Sequence, residues 1–259
     1  MIKDKPEIVL LAGGYGSRLG EYTNTIPKPM IKIGGYPIII HIINIFNKYG
    51  FKNFIICTGY KKEHINRYFK LYQKKNKKVK IYTNDKIQNK NQNNNSISIR
   101  IVFTGKNTQT GGRIKRIKKY IKNDYFLMTY ADGLSDINLN KLVKFHKKIG
   151  KLATVTAIKL RSKFGSLLIN SEDKVEKFTE KPVNEEWING GFFVLKKEIF
   201  KFIKDDSEPW EANPLKKICK LGELVAFKHP GFWRSMDTMK DKVELNKMWK
   251  SGKAKWKVW

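Results

Sequence analysis

The feature that most constrains this chain is an apolar run that ends in a glycine-rich turn. Residues 8–12 read IVLLA, and the segments GGYGSRL and Lys28-Pro29 follow them. A short apolar run that stops at turn residues predicts a buried strand. Glycines let backbone N–H groups approach an anion closely, and an arginine fork matches phosphate oxygens. The segment therefore predicts a phosphate-binding turn at the end of a buried strand.

Two common nucleotide-binding motifs do not fit this turn. Arg18 and Leu19 stand where the dinucleotide motif G-x-G-x-x-G has its third small residue, and the turn lacks the Gly-Lys-Ser/Thr of a P-loop. A nucleoside triphosphate remains the expected ligand. We expect Arg18 and Lys28 to neutralise its phosphates. The expected backbone donors belong to Gly13, Gly14, Gly16 and Ser17.

The chain carries a large excess of basic residues. It has 53 Lys and Arg against 23 Asp and Glu, a formal net charge of +30. Such a balance raises the hypothesis of a nucleic-acid-binding protein, which we keep as the distant alternative. The excess is spread along the chain as lysine, together with many Asn and Ile, which is typical of a compositional bias. We favour compositional bias over nucleic-acid binding as the origin of the charge, although the charge would still attract polyanionic substrates.

Length and patterning favour one soluble domain. A chain of 259 residues can build one α/β domain with a substantial core, and no clear linker interrupts it, so we predict a single domain over residues 1–259. Cys57 and Cys219 show neither metal-ligand spacing nor a disulfide framework. No leader with a cleavage site and no bilayer-length apolar run is evident. We expect a cytoplasmic protein without a membrane partner.

Apolar periodicity predicts an α/β fold with a mostly parallel sheet. Strand patterns cover residues 8–12, 54–58, 79–82, 99–104 and 125–130, and helical patterns cover residues 37–49, 61–72 and 111–121. Residues 74–98 are rich in lysine and asparagine, and we expect them to form a surface excursion with a mobile tip.

The pattern changes beyond Gly150. Short strand patterns cover residues 153–158, 166–169, 175–178 and 191–195, and helical patterns return at residues 211–221 and 238–250. Strands joined by short polar turns, with few helices between them, predict a mixed sheet added to the parallel one. We expect this added sheet to cover the second substrate.

Two aspartates are candidate metal ligands. Asp132 follows the apolar strand at residues 125–130, at the carboxyl end where open α/β sheets hold their ligands. Asp237 is the second candidate and directly precedes the last predicted helix, where an aspartate is more often an N-cap. Carboxylate and phosphate oxygens are the ligands that Mg²⁺ prefers, so the expected metal is magnesium.

Three further segments are weaker signals, because each also fits an ordinary loop. Glu180-Lys181-Pro182 follows a strand pattern, and Asn189-Gly190 opens another, so an ammonium and an amide could meet on one ligand. Residues 108–113 read TQTGGR and form a second glycine turn that feeds a helix. That turn suits either contact with a nucleotide base or simple helix capping.

Taken in order, these motifs carry a family resemblance over nearly the whole chain. The segments are GGYGSRL, KPM, GGYPIIIHI, FIICTGYK, TGGRIKRIKKY, TYADG, EKP, INGGFFVL and HPGFWRSMDTMKDKV. They resemble the sugar-phosphate nucleotidylyltransferase family, and TGGRIKR, NGGFFV and GFWRSMDTMKDK resemble its cytidylyltransferase branch. The resemblance implies a Rossmann-like nucleotidylyltransferase fold, with a mostly parallel central sheet flanked by helices and an added mixed sheet over the sugar site.

The activity that the resemblance implies is transfer of a cytidylyl group from CTP to α-D-glucose 1-phosphate. The products would be CDP-glucose, used for dideoxysugars of surface polysaccharides such as lipopolysaccharide, and pyrophosphate. The same chemistry with another sugar 1-phosphate or another nucleotide is the nearer alternative. A catalytically silent relative is disfavoured because the candidate cations and carboxylates are all present. The resemblance also implies a homo-oligomer without a nucleic-acid partner.

The resemblance assigns roles to individual residues. Arg18 and Lys28 would be catalytic, and Asp132 and Asp237 would bind Mg²⁺. The sugar phosphate would contact Glu180, Lys181, Asn189 and Gly190. The nucleotide would contact Leu11, Ala12, Gly13, Gly14, Gly16, Ser17, Thr108, Thr110, Gly112, Arg113 and Ala131.

The chain departs from the family pattern at three places. Ser17 replaces a threonine and keeps the hydroxyl. Ala131 replaces a glycine, which adds a methyl group where backbone approaches the ligand. Lys163 stands where the family tends to carry an arginine, and an ammonium cannot copy a guanidinium fork. These departures leave the identity of the sugar more open than the reaction.

Overall fold

A computed structural model of the chain describes residues 5–83, 96–160, 162, 164–182 and 186–259. The strands, numbered along the chain, are β1 Ile8–Ala12, β2 Lys32–Ile33, β3 Tyr36–Pro37, β4 Asn53–Thr58, β5 Val79–Thr83, β6 Ile97–Phe103, β7 Tyr125–Tyr130, β8 Gly133–Ser135, β9 Ala153–Ile158, β10 Ser166–Ile169, β11 Val175–Thr179, β12 Ile188–Lys196, β13 Leu224–His229 and β14 Trp233–Ser235. The α-helices are α1 Glu21–Thr25, α2 Ile38–Lys48, α3 Lys62–Lys75, α4 Thr110–Arg116, α5 Leu139–Ile149, α6 Asn213–Lys220 and α7 Met239–Lys250.

Within the described residues, eight strands form one central sheet in the order β13-β9-β12-β7-β1-β4-β6-β5. β1 is parallel to both of its neighbours, β4 and β7, and β6 is parallel to β4 and β5. β12 runs antiparallel to β7 and to β9. The carboxyl ends of β1, β4 and β7 therefore meet at one edge, where open α/β sheets bind ligands. The predicted fold class is confirmed.

The strands beyond Gly150 divide among three sheets, because β14 pairs with β8 in a two-stranded sheet of its own. β9, β12 and β13 extend the central sheet, and the reversed direction of β12 makes that end mixed. β10 and β11 instead pair with each other as a separate antiparallel hairpin. Leu167 and Phe178 face each other across this hairpin and are more than half exposed. Beside the central sheet, the described residues thus form this hairpin and the two-stranded sheets β8–β14 and β2–β3.

Alternation along β1 places an apolar core on each face of the sheet. Ile8, Leu10 and Ala12 pack into a core that includes residues of α2, α3, α5 and α7. Val9 and Leu11 pack into a second core with residues of α4 and α6. Successive side chains of a strand point to opposite faces, so a continuously apolar strand must be covered on both sides.

Local signals set the ends of the helices. α2 follows Pro37, which supplies the N-cap, and it ends before Gly50, whose φ of 79° is left-handed and costs glycine little. α4 is shorter than predicted, because it ends at Arg116 and a separate turn of 3-10 helix covers Lys118–Tyr120. α6 begins at Asn213, two residues later than predicted, after a loop that contacts α4.

Two predictions fall partly outside the described residues. Residues 84–95 contain the tip of the expected surface excursion, while its flanks include the paired strands β5 and β6. Lys163 also lies outside the described residues.

The single-domain organisation remains a prediction. No helix in the described ranges combines the length and apolar character that crossing a membrane requires.

Candidate functional site

A cleft of about 400 Å³ lies at the carboxyl ends of β1 and β7, where the sequence predicted the ligand site. The turn after β1 forms one wall, and the segment that leads into α4 forms another. Asp132 follows β7, and Asp237 precedes α7. The lining residues are Leu11, Ala12, Gly13, Gly14, Tyr15, Gly16, Ser17, Arg18, Lys28, Pro29, Lys106, Asn107, Thr108, Gln109, Thr110, Arg113, Tyr130, Ala131, Asp132 and Asp237.

The turn after β1 brings backbone close to Lys28. Gly16 is left-handed, with a φ of 69°, and a Cβ atom there would lie 3.0 Å from the Cβ of Lys28. A short turn of 3-10 helix, Ser17–Leu19, follows and leaves the Arg18 side chain 78% exposed. Glycine at position 16 thus satisfies both the backbone conformation and the close approach of Lys28.

Lys28 joins the two predicted metal ligands. Its Nζ atom lies 2.6 Å from Oδ2 of Asp132 and 2.6 Å from Oδ1 of Asp237. Burial lowers the pKa of the Lys28 ammonium, but the charge and hydrogen bonds of Asp132 and Asp237 outweigh burial, so its pKa lies above the ordinary value. The Nη1 atom of Arg18 is 3.7 Å from Oδ1 of Asp237. Two cations and two carboxylates therefore meet at the cleft.

Pairing between β8 and β14 brings the two aspartates together. Gly133, next to Asp132, is paired with Ser235, and the Met236 N–H donates to the Asp132 carbonyl over 3.0 Å. Ser235 also donates its hydroxyl to Oδ2 of Asp237 over 2.7 Å. Burial raises the pKa of Asp237, but hydrogen bonds from Lys28 and Ser235 and the charges of Lys28 and Arg18 bring it below the ordinary value.

Asp237 is not the cap of α7. Thr238 is the N-cap residue, and its side chain accepts from the Asp241 N–H while the Asp241 carboxylate accepts from the Thr238 N–H. This reciprocal pair is a capping box. The ordinary structural role considered for Asp237 is therefore taken by its neighbour, and the Asp237 carboxylate faces the cleft.

The donor set fits a magnesium ion. Across the described ranges, no group of three or more His, Cys, Asp and Glu side chains could hold a metal ion. Asp132 and Asp237 nevertheless share one cation, the Lys28 ammonium, at hydrogen-bonding distance. Mg²⁺ is commonly held by one or two carboxylates, with waters and substrate phosphates as the other ligands. Two convergent carboxylates beside the glycine turn after β1 match that pattern.

Arg113 hydrogen-bonds to several chain segments that surround the cleft. Its side chain is buried, and its guanidinium donates to the carbonyls of Gly13 at 2.9 Å and Gly105 at 2.8 Å and to Thr104 Oγ1 at 2.9 Å. It also donates to the Thr58 carbonyl over 3.2 Å. Burial lowers the pKa of Arg113. The guanidinium thus lines the cleft while its donors bind the turn after β1, the last residue of β4 and the segment after β6.

The structure brings together every predicted nucleotide contact except Gly112. Gly112 is buried under the loop before α6, where a Cβ atom would lie 2.5 Å from the Cα of Asp206. The glycine is needed there for packing, because a side chain would collide with backbone. Gly112 therefore contributes to the wall of the cleft without lining it.

The predicted sugar-phosphate residues lie outside this cleft. Among the residues that line it, none of these four is present. Glu180 and Lys181 form an exposed ion pair at 2.8 Å after β11, and Lys181 has a left-handed φ of 47°. Asn189 hydrogen-bonds to Tyr130, whose side chain does line the cleft, and the Gly190 carbonyl accepts from Trp233 Nε1 at 2.6 Å. Asn189 is thus close to the cleft, whereas among the described residues no contact of Glu180 or Lys181 joins these two to it.

Sequence reasoning named Thr110 but missed the two residues, Tyr130 and Glu211, that form a polar cluster with it at the rim of the cleft. The Glu211 carboxylate accepts hydrogen bonds from the Tyr130 hydroxyl and, at 2.7 Å, from the Thr110 hydroxyl. Burial raises the pKa of Tyr130 above its ordinary range, and the adjacent Glu211 charge raises it further. Tyr130 could have been found from its position beside Asp132 at a strand end. Glu211 carries no local signal, because only tertiary packing places it beside Thr110.

The arrangement suits reactions of phosphate esters. Backbone of the glycine turn, the Arg18 guanidinium and the Lys28 ammonium can neutralise a triphosphate, and the carboxylates can hold a divalent cation. Such chemistry requires placement of two anions and compensation of their charge more than a protein nucleophile. The open α/β sheet with this site at its carboxyl edge defines a nucleotide-dependent group-transfer enzyme.

Comparison with known proteins gives the family. The model of the nucleotidyl transferase family matches residues 7–248, and the chain belongs to this family. It is 43% identical to glucose-1-phosphate cytidylyltransferase of Salmonella typhimurium, a match that covers 97% of this chain and 98% of the relative. A Bacillus subtilis protein named "Probable glucose-1-phosphate cytidylyltransferase" is 44% identical, over 97% of this chain and 99% of the relative.

Solved structures agree on the fold. The crystal structure of HddC from Yersinia pseudotuberculosis aligns with a TM-score of 0.70 at 22% identity, and the alignment covers 94% of this chain and 99% of that chain. At this level of identity the likeness concerns the fold alone. It agrees with the mostly parallel sheet flanked by helices described above.

Proposed function

We propose that the protein transfers a cytidylyl group from CTP to α-D-glucose 1-phosphate, forming CDP-glucose and pyrophosphate. Identity of 43% and 44% to two relatives with that printed activity, each over 97% of this chain, supports the substrates. The observation that carries the proposal is the meeting of Lys28 with Asp132 and Asp237 at a cleft lined by the glycine turn.

In the proposed reaction, a phosphate oxygen of the sugar phosphate attacks the α-phosphorus of CTP. A new P–O bond forms, the bond to the β-phosphate breaks, and pyrophosphate leaves with the electron pair. Arg18 and Lys28 neutralise charge on the triphosphate, and backbone N–H groups of the glycine turn orient it. Asp132 and Asp237 would hold Mg²⁺, which when bound supplies further positive charge against the phosphates.

The remaining site residues belong to the same proposal. The residues of the cleft wall bind the nucleotide, with Arg113 and Gly112 acting through the shape of the wall. Lys181 binds the phosphate of the sugar, and Glu180, Asn189 and Gly190 lie around the hexose. For this, the hairpin β10–β11 has to fold over the cleft, since Glu180 and Lys181 directly follow it. The exposed ion pair of Lys181 leaves its ammonium accessible to an anion.

A cytoplasmic location, a homo-oligomeric state and a role of the product in surface-polysaccharide biosynthesis complete the proposal. They extend the inferred activity and rest on it.

A pyrophosphate-release assay over a panel of substrates tests the proposed function. We expect turnover with CTP and glucose 1-phosphate, and little with UTP or dTTP. Activity with another sugar phosphate or another nucleotide would favour the nearer alternative, in which the chemistry is the same and the specificity differs. If no combination of nucleotide and sugar phosphate releases pyrophosphate, the proposed function is wrong.

A further inference from the structure

The ammonium of Lys28 lies where a divalent cation would be needed. It contacts one oxygen of each carboxylate at 2.6 Å, and the Lys28 side chain is only 13% exposed. Asp132 and Asp237 are 27% and 29% exposed, so the three groups form a partly buried unit of two anions and one cation. A metal ion and the ammonium would compete for the same carboxylate oxygens.

Electrostatic repulsion prevents a divalent cation and the Lys28 ammonium from binding the two carboxylates at the same time. A divalent cation between the carboxylates would lie within a few ångströms of the ammonium, and like charges at that distance repel strongly in a poorly solvated site. Lys28 would therefore have to leave the carboxylates. A half-buried ammonium that loses its anionic partners without finding another pays a desolvation cost, which opposes metal binding.

A bound triphosphate removes this obstacle. Lys28 lines the same cleft as Ser17 and Arg18, and its Cβ lies close to the turn at Gly16. Phosphate oxygens on that turn would offer the ammonium new anionic partners within the reach of its flexible side chain. The carboxylates are then free to accept the metal ion.

We propose that Lys28 holds the place of the divalent cation, so that the metal ion binds together with the triphosphate and not before it. The inference rests on the proposed function, because it takes the carboxylates as the metal ligands of a nucleotide site. By linkage, bound nucleotide raises the affinity for the metal ion by the same factor by which the metal ion raises the affinity for nucleotide. Lys28 is thereby a switch between two partners as well as a cation for the phosphates.

Binding of Mn²⁺ alone, without nucleotide, tests the inference. Titrations followed by electron paramagnetic resonance compare the wild-type protein with Lys28→Met, which shortens the side chain by one atom and removes its charge. We expect Lys28→Met to bind Mn²⁺ about tenfold or more tightly than the wild type, because one like charge has been removed from the site. Mn²⁺ should also raise the melting temperature of the variant more than that of the wild type.

Lys106→Met is the matched control. Lys106 lines the same cleft but is not paired with Asp132 or Asp237 in the structure. Removing its charge should leave Mn²⁺ affinity nearly unchanged, whereas a general effect of net charge would raise it as much as Lys28→Met does. If Lys28→Met does not fold, as judged by circular dichroism, Lys28→Gln replaces it.

Equal Mn²⁺ affinity of the wild type and Lys28→Met overturns the inference, and so does an equal gain in Lys106→Met. Absence of Mn²⁺ binding to either protein overturns it as well. None of these outcomes concerns turnover, which the pyrophosphate-release assay measures on the wild-type protein with both substrates. A result that contradicts the inference about Lys28 is thus distinguishable from one that contradicts the proposed function.

Discussion

The guanidinium of Arg113 fills the space that a Cβ atom on Gly13 would need. Hydrogen bonds hold this guanidinium in place, because its Nη2 donates to the Gly13 carbonyl over 2.9 Å and its Nη1 donates to the carbonyls of Thr58, the last residue of β4, and of Gly105 after β6. Packing against Arg113 therefore requires glycine at position 13, whether or not a ligand approaches the backbone there. Its neighbour Gly14 is different, since a Cβ atom there would meet nothing within 4 Å.

The contrast between the two glycines gives the first prediction. Gly13→Ala should lower the free energy of unfolding by about 1–3 kcal/mol, because the added methyl group displaces a buried, hydrogen-bonded guanidinium. Gly14→Ala should change it by less than about 0.5 kcal/mol, as for an open position. Urea unfolding of both variants provides the comparison. Equal stability of the two would show that Arg113 does not restrict position 13.

The second prediction concerns Asp237. Asp237→Asn should lower the rate of pyrophosphate release about 100-fold or more, because the proposed metal loses a charged ligand and Lys28 loses an anionic partner. Circular dichroism should show an intact fold, since Thr238 and Asp241 cap α7. Asp205→Asn, at an exposed loop position, is the control and should remain active. Near-normal turnover of Asp237→Asn would remove this residue from the site.

The third prediction separates two exposed ion pairs of similar geometry. Lys181 pairs with Glu180 and Lys174 pairs with Glu172, each at 2.8 Å. If Lys181 binds the sugar phosphate, Lys181→Ala should raise the Michaelis constant for glucose 1-phosphate about tenfold, with a smaller effect on that for CTP. Lys174→Ala, in the turn between β10 and β11, should leave both constants unchanged. An unaltered constant in Lys181→Ala would contradict the assignment.

The fourth prediction concerns pH and His146. Burial, together with the charges of Lys196 and Lys147, lowers the pKa of His146 from 6.5 to about 4. The unfolded chain takes up a proton as the pH falls through 6.5, whereas the folded protein takes it up only near pH 4. The stability due to neutral His146 is therefore present above pH 6.5 and is lost as the pH falls toward 4.

Urea unfolding at several pH values measures this loss. The contribution of His146 amounts to up to about 3 kcal/mol between these two pH values, since each pKa unit corresponds to 1.36 kcal/mol. His146→Gln should flatten the dependence of the unfolding free energy on pH in this range. The same slope in the wild type and in His146→Gln would exclude His146 as the source.

Local elements of the fold were predictable because their signals are local. The apolar strand at residues 8–12 was predicted with its observed bounds, and α2 was predicted one residue too long at each end. Where the helix bounds differed more, the cause was tertiary. α6 begins later than predicted because Trp210 and Glu211, in the loop before α6, form hydrogen bonds with Thr110, the first residue of α4.

Asp237 illustrates how much of the site could be predicted from the sequence alone. Its position before a helix was compatible with an N-cap, and the family resemblance was needed to prefer a metal ligand. The structure shows why the cap is not required of Asp237, because Thr238 and Asp241 cap each other. Backbone geometry decides which of two adjacent polar residues is the cap, and that geometry is not visible in the order of residues.

The glycine turn, the alternation of strands and helices, and the candidate cations and carboxylates could be predicted from the order of residues alone. These follow from residue type and short-range periodicity. The position of Lys28 between Asp132 and Asp237, which are 104 and 209 positions away along the chain, is established only by the folded protein. The order of strands in the sheet and the pairing of β8 with β14 create that contact, because burial of both sheet faces selects one arrangement of distant segments.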